Sequence, residues 1–390
     1  MVKRIQGRNI LFPHGVSEGY VYFQDGKIIA AGREELPFDV EYDFEDNYVA
    51  AGFIEAHAHG ALNYDFCEAS VEEMLRVIAF YLSKGVTAIY PTVTSSTFEK
   101  TWQTLEKIEE VMQTKPYGAC VAGVHLEGPY FSENQSGAQA KGIIRAPQKE
   151  EYEKIVKRFG GIIKRWDYAP ELDKNGVLCK YLTENGILPA AGHTDAKYDD
   201  MRLARENGCR LITHLYSCTS TITRENGFRK LGVIECAYLW DDLYIEIIAD
   251  GKHLPPELLR LVFKLKPKDK ILLVSDALKV TGTGEKYSSV GGVPCVIEDG
   301  VCKLLDRTAF AGSITPIDGL IKVCVNQVGL DFVDVIKTAN ENPARLFGLN
   351  KGRLEKGTDA DICVLDKAYN VLKVFLQGEE VVVRSCENEK

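Results

Sequence analysis

Two imidazoles one residue apart, His57 and His59 around Ala58, follow a short apolar run and fall on the same side of an extended chain, because side chains alternate with a period of two. So placed, they can chelate one metal ion. Further along stand Glu127 in His125-Leu126-Glu127-Gly128-Pro129, His193 in Gly192-His193-Thr194-Asp195, and His214 in Thr213-His214-Leu215, which together make a Glu-His-His ligand set. Counting His125, five of the seven histidines lie at or next to the ends of strand-like runs, a concentration that independent structural histidines do not explain. Asp276 in Val274-Ser275-Asp276-Ala277 also follows an apolar run, where a buried acid is costly unless paired or set against a metal or its water. Its expected work is proton transfer: it takes a proton from a metal-activated water and passes it to a departing amine. The residues therefore predict a metal-dependent hydrolase.

Apolar runs that include Ala88-Ile89-Tyr90, Val121 to Val124, Ile187 to Ala191, Leu211-Ile212, Tyr244 to Ile248 and Ile271 to Val274 alternate with amphipathic stretches. Ser70 to Lys84, Thr97 to Thr114 and Tyr198 to Asn207 have helical spacing, and Ser70 with Glu73 forms a capping box. Repeated β-α units predict a parallel sheet, and polar residues gathered at strand carboxyl ends select a closed (β/α)8 TIM-like barrel, whose strand ends share one mouth. Short strands at both chain ends, among them the hairpin Tyr20 to Ala31 with its turn at Gln24-Asp25-Gly26-Lys27, predict a small β-sandwich domain from residues 1–50 plus 355–390. The barrel then spans 51–354, with a β insert near 287–308. Val381 to Val383 are read as the last strand.

The chain has 390 residues, 47 Lys and Arg against 56 Asp and Glu, and a formal charge of −9, without a basic run to track a phosphate backbone. Nucleic acid is not an expected partner. Eleven cysteines without a Cys-x-x-Cys pair argue against a disulfide framework and a zinc ribbon. No apolar signal core or membrane-spanning run is visible, so a cytoplasmic location is expected. Gly282-Thr283-Gly284-Glu285-Lys286 lacks the Gly-Lys-Ser/Thr ending of a phosphate loop.

In order along the chain, Ala51 to Gly60, His125-Leu126-Glu127-Gly128-Pro129-Tyr130, Ala191 to Ala196, Thr213 to Tyr216, Ile248 to His253, Val274 to Ala277, Asn342 to Arg345 and Gly357 to Asp361 resemble the motifs of N-acetylglucosamine-6-phosphate deacetylases, within the amidohydrolase superfamily. The resemblance implies hydrolysis of an amino-sugar phosphate, a small-molecule substrate, to acetate and the free amine. It implies one or two divalent ions, zinc first and iron, cobalt or manganese as alternatives, with Glu127, His193 and His214 holding the main one. Asp276 is then acid and base, and His253 contacts a sugar hydroxyl or the carbonyl. Some members lack the first histidine pair and use one ion; His57 and His59 are retained here, which allows a second. Gln139, in Gly137-Ala138-Gln139, is similar to a loop residue near the acyl group, and Arg224 resembles the phosphate-binding arginine, with Arg229 a competitor. The family usually has Asn-Ala-Met where this chain has Ser217, Cys218 and Thr219, so the sugar-phosphate pocket departs while the metal set does not. A homodimer is implied as well. The alternatives are a related amidohydrolase acting on another acylated sugar or amide, and a noncatalytic metal-stabilised sugar-binding protein.

Overall fold

The computed structural model describes residues 1–381; Val382, Val383 and Cys386 lie outside the described residues. Eight parallel strands, β1 (Phe53–Ala58), β2 (Val86–Thr94), β3 (Val124–Glu127), β4 (Ile163–Tyr168), β5 (Leu188–Ala191), β6 (Leu211–Ile212), β7 (Tyr244–Ile247) and β8 (Ile271–Leu273), neighbour one another in chain order. The ring closes where Ala58 bridges Ala277 in parallel and the Asp276 amide donates to the His57 carbonyl at 2.9 Å. A helix follows each of the first seven strands, and the chain is a (β/α)8 barrel.

The helices read from the sequence form for the expected reasons. Helix α1 (Val71–Ser83) starts at Ser70, whose hydroxyl accepts from the Glu73 amide while Glu73 accepts from the Ser70 amide at 2.7 Å. Its buried Met74, Val77, Ile78 and Tyr81 recur at one-face spacing. Helix α2 (Phe98–Gln113) is capped by Thr97. Strand β4 was not among the expected runs, because Lys164, Arg165 and Asp167 interrupt its apolar pattern.

Alternation along β1 explains why the barrel interior is polar. Ile54 and Ala56 pack outward with Tyr90, Val274 and Ala344, which sends Glu55 and His57 inward. There they meet Thr92, His125, Arg165, Asp167, Thr213 and Glu246, all fully buried. Arg165 donates to Asp167 at 2.7 and 2.9 Å, to Thr213 Oγ1 at 3.0 Å, to the Ala56 carbonyl at 3.3 Å and to both oxygens of Glu246. Burial opposes ionisation of Asp167 and Glu246, but the Arg165 charge outweighs it and holds both acids below the usual carboxylate range.

Strands from the two chain ends hydrogen-bond as one sheet, in which Tyr48–Ala51 joins the C-terminal Ile362–Leu365 to the N-terminal Lys3–Phe12. The sheet rolls until Phe23, near one edge, meets Phe375, near the other, at 5.7 Å between ring centroids, so its inner face packs on itself as a sandwich does. The β insert runs somewhat past the expected 308: Tyr287–Val290, Val293–Glu298, Val301–Leu304 and Phe310–Gly312 form an antiparallel sheet. Its last strand leads back to the barrel, where the Ser313 amide donates to the Asp276 carbonyl at 2.9 Å. Among the described residues no helix is long and apolar enough to cross a membrane.

Removing Arg165 strands two buried carboxylates. Arg165→Met is expected to destabilise the fold by roughly 3–5 kcal/mol, read as a large drop in melting temperature. An unchanged melting temperature would show that Asp167 and Glu246 need no counter-charge.

Candidate active site

Glu127 ends β3, and His193 and His214 stand just beyond β5 and β6. The barrel brings Glu127 Oε1 to 3.2 Å from His193 Nε2 and 3.3 Å from His214 Nε2, with the two imidazole nitrogens 3.2 Å apart. Each ring's other nitrogen faces a carbonyl: His193 Nδ1 donates to Gln135 O at 2.9 Å, and His214 Nδ1 to Ser217 O at 3.1 Å. Carbonyls only accept, so both Nδ1 atoms carry a proton, and in the neutral rings that bind a metal both Nε2 atoms present lone pairs. Two lone pairs and a carboxylate facing one another are repulsive without a cation between them. Ligands about 2.0 Å from a tetrahedral ion lie about 3.3 Å from one another, and the three separations match that spacing.

A second set faces the same point. His59 Nε2 is 3.1 Å and His57 Nε2 3.5 Å from Asp276 Oδ1, and both histidines lie 3.5 Å from Glu127, His57 from Oε1 and His59 from Oε2. His57 Nε2 is buried without a hydrogen-bond partner. Thr94 Oγ1 holds His59 Nδ1 at 2.8 Å, and Glu246 Oε2 lies 3.4 Å from His57 Nδ1. Among the described residues these two triads, His57-His59-Asp276 and Glu127-His193-His214, are the groups whose donors converge closely enough to hold an ion. The donor chemistry fits a divalent metal.

Backbone strain helps to aim these groups. His193, His214 and Asp276 have φ of 46°, 29° and 47°, a left-handed conformation that costs a residue with a Cβ on the order of 1–3 kcal/mol and is kept where surrounding structure enforces it.

The groups open into a cavity of about 260 Å³ at the carboxyl ends of the strands, lined also by Tyr216, Ser217, Cys218 and His253. Gln139 lines it too, donating to Glu127 Oε2 at 2.8 Å while accepting from the Ser95 amide, so this residue, expected at the acyl group, grips a metal-set carboxylate. Its loop is pinned by Asp195, which accepts from Ser132, Asn134 and Gln135. The loop also needs Gly137, at φ +54°, where a Cβ would sit 2.6 Å from Cys218 Sγ. His253 is oriented by Asp250 at 2.8 Å and covered by Phe310 of the insert, 4.9 Å between centroids. Among the described residues no lysine or arginine belongs to the lining. Arg224 and Arg229 pair across an exposed hairpin, Thr223–Glu225 with Phe228–Lys230, and neither lines the cavity.

Sequence reading missed Thr94, Gln135, Glu246, Arg165, Asp195 and Asp250 as supports of the site. Two of them left a visible signal: Glu246 is a lone charge inside an apolar run, and Asp250 lies three residues before His253. The Gln135 carbonyl left none, since any residue supplies one.

Residues 48–381 match the amidohydrolase family model. The N-acetylglucosamine-6-phosphate deacetylase of Bacillus subtilis (strain 168) is 29% identical over 93% of this chain and 92% of its own length. That of Bos taurus is 30% identical over 90% and 87%. Among solved structures, the Pasteurella multocida N-acetylglucosamine-6-phosphate deacetylase superposes with a TM-score of 0.91 at 26% identity, covering 98% of this chain and 100% of that one. The Thermotoga maritima enzyme of that name gives 0.87 at 28% identity, covering 97% and 99%. With its barrel, its paired ligand triads and this likeness along nearly the whole length, the chain belongs to the amidohydrolase family.

Proposed function

We propose that this protein hydrolyses the N-acetyl group of N-acetylglucosamine-6-phosphate, releasing acetate and the free amine. The observation that carries the reading is the convergence of Glu127, His193 and His214 with His57, His59 and Asp276 at one cavity, in a chain similar throughout to deacetylases of that substrate.

The enzyme is a metal-dependent carbon–nitrogen hydrolase. Glu127, His193 and His214 would hold the principal divalent ion, zinc in this reading, and His57 and His59 with Asp276 would offer a place for a second. Bound there, the ion supplies Lewis-acid polarisation of the amide carbonyl and lets water ionise near neutral pH. Asp276, whose carboxylate lies 3.1 Å from His59 Nε2, takes the proton of the attacking water. As the tetrahedral carbon collapses, Asp276 gives that proton to the amide nitrogen, the C–N bond breaks and the amine leaves. His253, its Nδ1 tied to Asp250, presents its other nitrogen to a sugar hydroxyl or the acyl oxygen. Ser217 and Cys218 line the sugar end and Gln139 steadies Glu127. The division into a small domain, 1–50 plus 355–390, and a barrel of 51–354 belongs to this reading, supported by a separate core of Ile5, Val21, Ile362 and Phe375. A cytoplasmic homodimer without nucleic-acid partners completes it.

One observation favours a second reading, hydrolysis of a related acylated sugar without phosphate. Among the described residues of a single chain the cavity has no lysine or arginine, and Ser217-Cys218-Thr219 stand where the resemblance leads one to expect Asn-Ala-Met. The phosphate must then draw its counter-charge from elsewhere, such as Arg224 or Arg229.

Acetate release from N-acetylglucosamine-6-phosphate by zinc-loaded protein, beside N-acetylgalactosamine-6-phosphate and unphosphorylated N-acetylglucosamine, decides between them. Strong turnover that requires the phosphate is expected; turnover indifferent to it selects the second reading. Asp276→Asn is expected to lower kcat by at least about a hundredfold, the general acid–base contribution, and near-normal kcat would remove Asp276 from the proton path. Stripping metal with a chelator should abolish turnover and lower the melting temperature, both restored by zinc.

A further inference from the structure

We infer that Glu246, clamped by Arg165 inside the barrel, is the positioning residue that sets the tautomer of His57 and readies it as a metal ligand; this rests on the proposed metal centre. His57 Nε2 points at Glu127 and Asp276, 3.5 Å from each, so it serves as a ligand only if its proton sits on Nδ1. The acceptor on that side is Glu246 Oε2, at 3.4 Å. The other three histidines of the two triads orient against neutral groups, Thr94 Oγ1, Gln135 O and Ser217 O. His57 alone is backed by a carboxylate.

Glu246 is not free to turn away. Arg165 grips both of its oxygens, Nη2 donating to Oε2 at 2.9 Å, and Arg165 is itself fixed by Asp167, Thr213 and the Ala56 carbonyl. Glu246 Oε2 also accepts from the backbone amide of His214 at 3.3 Å. One buried carboxylate thus touches a member of each triad, the His57 ring and the His214 backbone. Asp167 is the internal control: equally buried and also bound to Arg165, its carboxylate lies against His125, 3.0 Å from Nε2, and it meets the triads through the backbone pairing of its strand with Glu127.

The experiment has two parts. In zinc-loaded protein carrying 15N-labelled histidine, with the His57 signals assigned by their loss in His57→Asn, the unchanged protein is expected to show His57 protonated on Nδ1. An Nε2-protonated His57 would overturn the inference, and this reading needs no Glu246 variant to fold. Zinc is then titrated against a chromophoric chelator in Glu246→Gln and Asp167→Asn, with folding checked by melting temperature. Glu246→Gln should weaken the binding event that His57→Asn abolishes by roughly 10–100-fold, the usual loss for an outer-shell partner, while Asp167→Asn leaves it within about threefold. Equal effects in the two variants would reduce Glu246 to a structural ion pair and overturn the inference, as would a His57→Asn protein that loses no binding event. Acetate release by the unchanged protein reports on the deacetylase reading separately.

Discussion

The arrangement at the barrel mouth depends on one electrostatic fact: the Glu127 carboxylate and the His193 and His214 lone pairs face one another at 3.2–3.3 Å, with His57, His59 and Asp276 close behind. A divalent cation between them turns these crowded donors into a coordination shell. Much of the nearby structure holds the donors in place before one arrives. Two carbonyls fix the tautomers of His193 and His214, Gln139 fixes the free oxygen of Glu127, and three left-handed backbones set where the β5, β6 and β8 chains turn. The strain and the mutual repulsion are the preorganisation that catalysis by a fixed charge requires.

That demand reaches into the barrel. TIM-barrel interiors are commonly filled with branched apolar side chains, but here the layer below the ligands carries Arg165, Asp167 and Glu246, all without solvent contact. Burying three charges is expensive, and the cost is met only because Arg165 satisfies both acids bidentately. A polar floor can transmit orientation to the ligands above it, as apolar packing cannot, because hydrogen bonds fix which ring nitrogen bears the proton. His125, at the edge of this floor, is pushed down to about 4 by burial and by Arg165, so it stays neutral and adds no charge below the ligands.

Specificity is built from different parts. The candidate metal donors sit on strand ends, whereas the cavity wall comes from the loop of Tyr216, Ser217 and Cys218, the loop of Ala138 and Gln139, and the insert, which adds Val290 to the wall and sets Phe310 against His253. Loops change without disturbing the barrel ladder, so the wall around Ser217 and Cys218 can vary while the centre at the strand ends is kept. The exposed Arg224 hairpin is a third part, separate from the cavity of a single chain.

The barrel, and the polar residues that meet at its mouth, were legible in the order of the residues alone. His57-x-His59, Glu127, His193, His214 and Asp276 each follow a short apolar run, and only a closed ring of such strands gathers them at one end. The order of the residues also determined α1 and α2 to the residue at their caps, since Ser70 and Thr97 act on amides three positions away. It hid β4, because a strand with Arg165 and Asp167 facing a polar barrel interior lacks the apolar pattern that marks its neighbours. The folded chain alone reveals that Glu246 backs His57 across 189 positions, that Gln139 holds Glu127, and that Arg224 stays outside the cavity. The reason is physical: helix caps and strand alternation are local and leave a periodic trace, whereas a tautomer, a grip on a carboxylate or a place in a cavity is set by whichever atom the completed fold brings within hydrogen-bond reach.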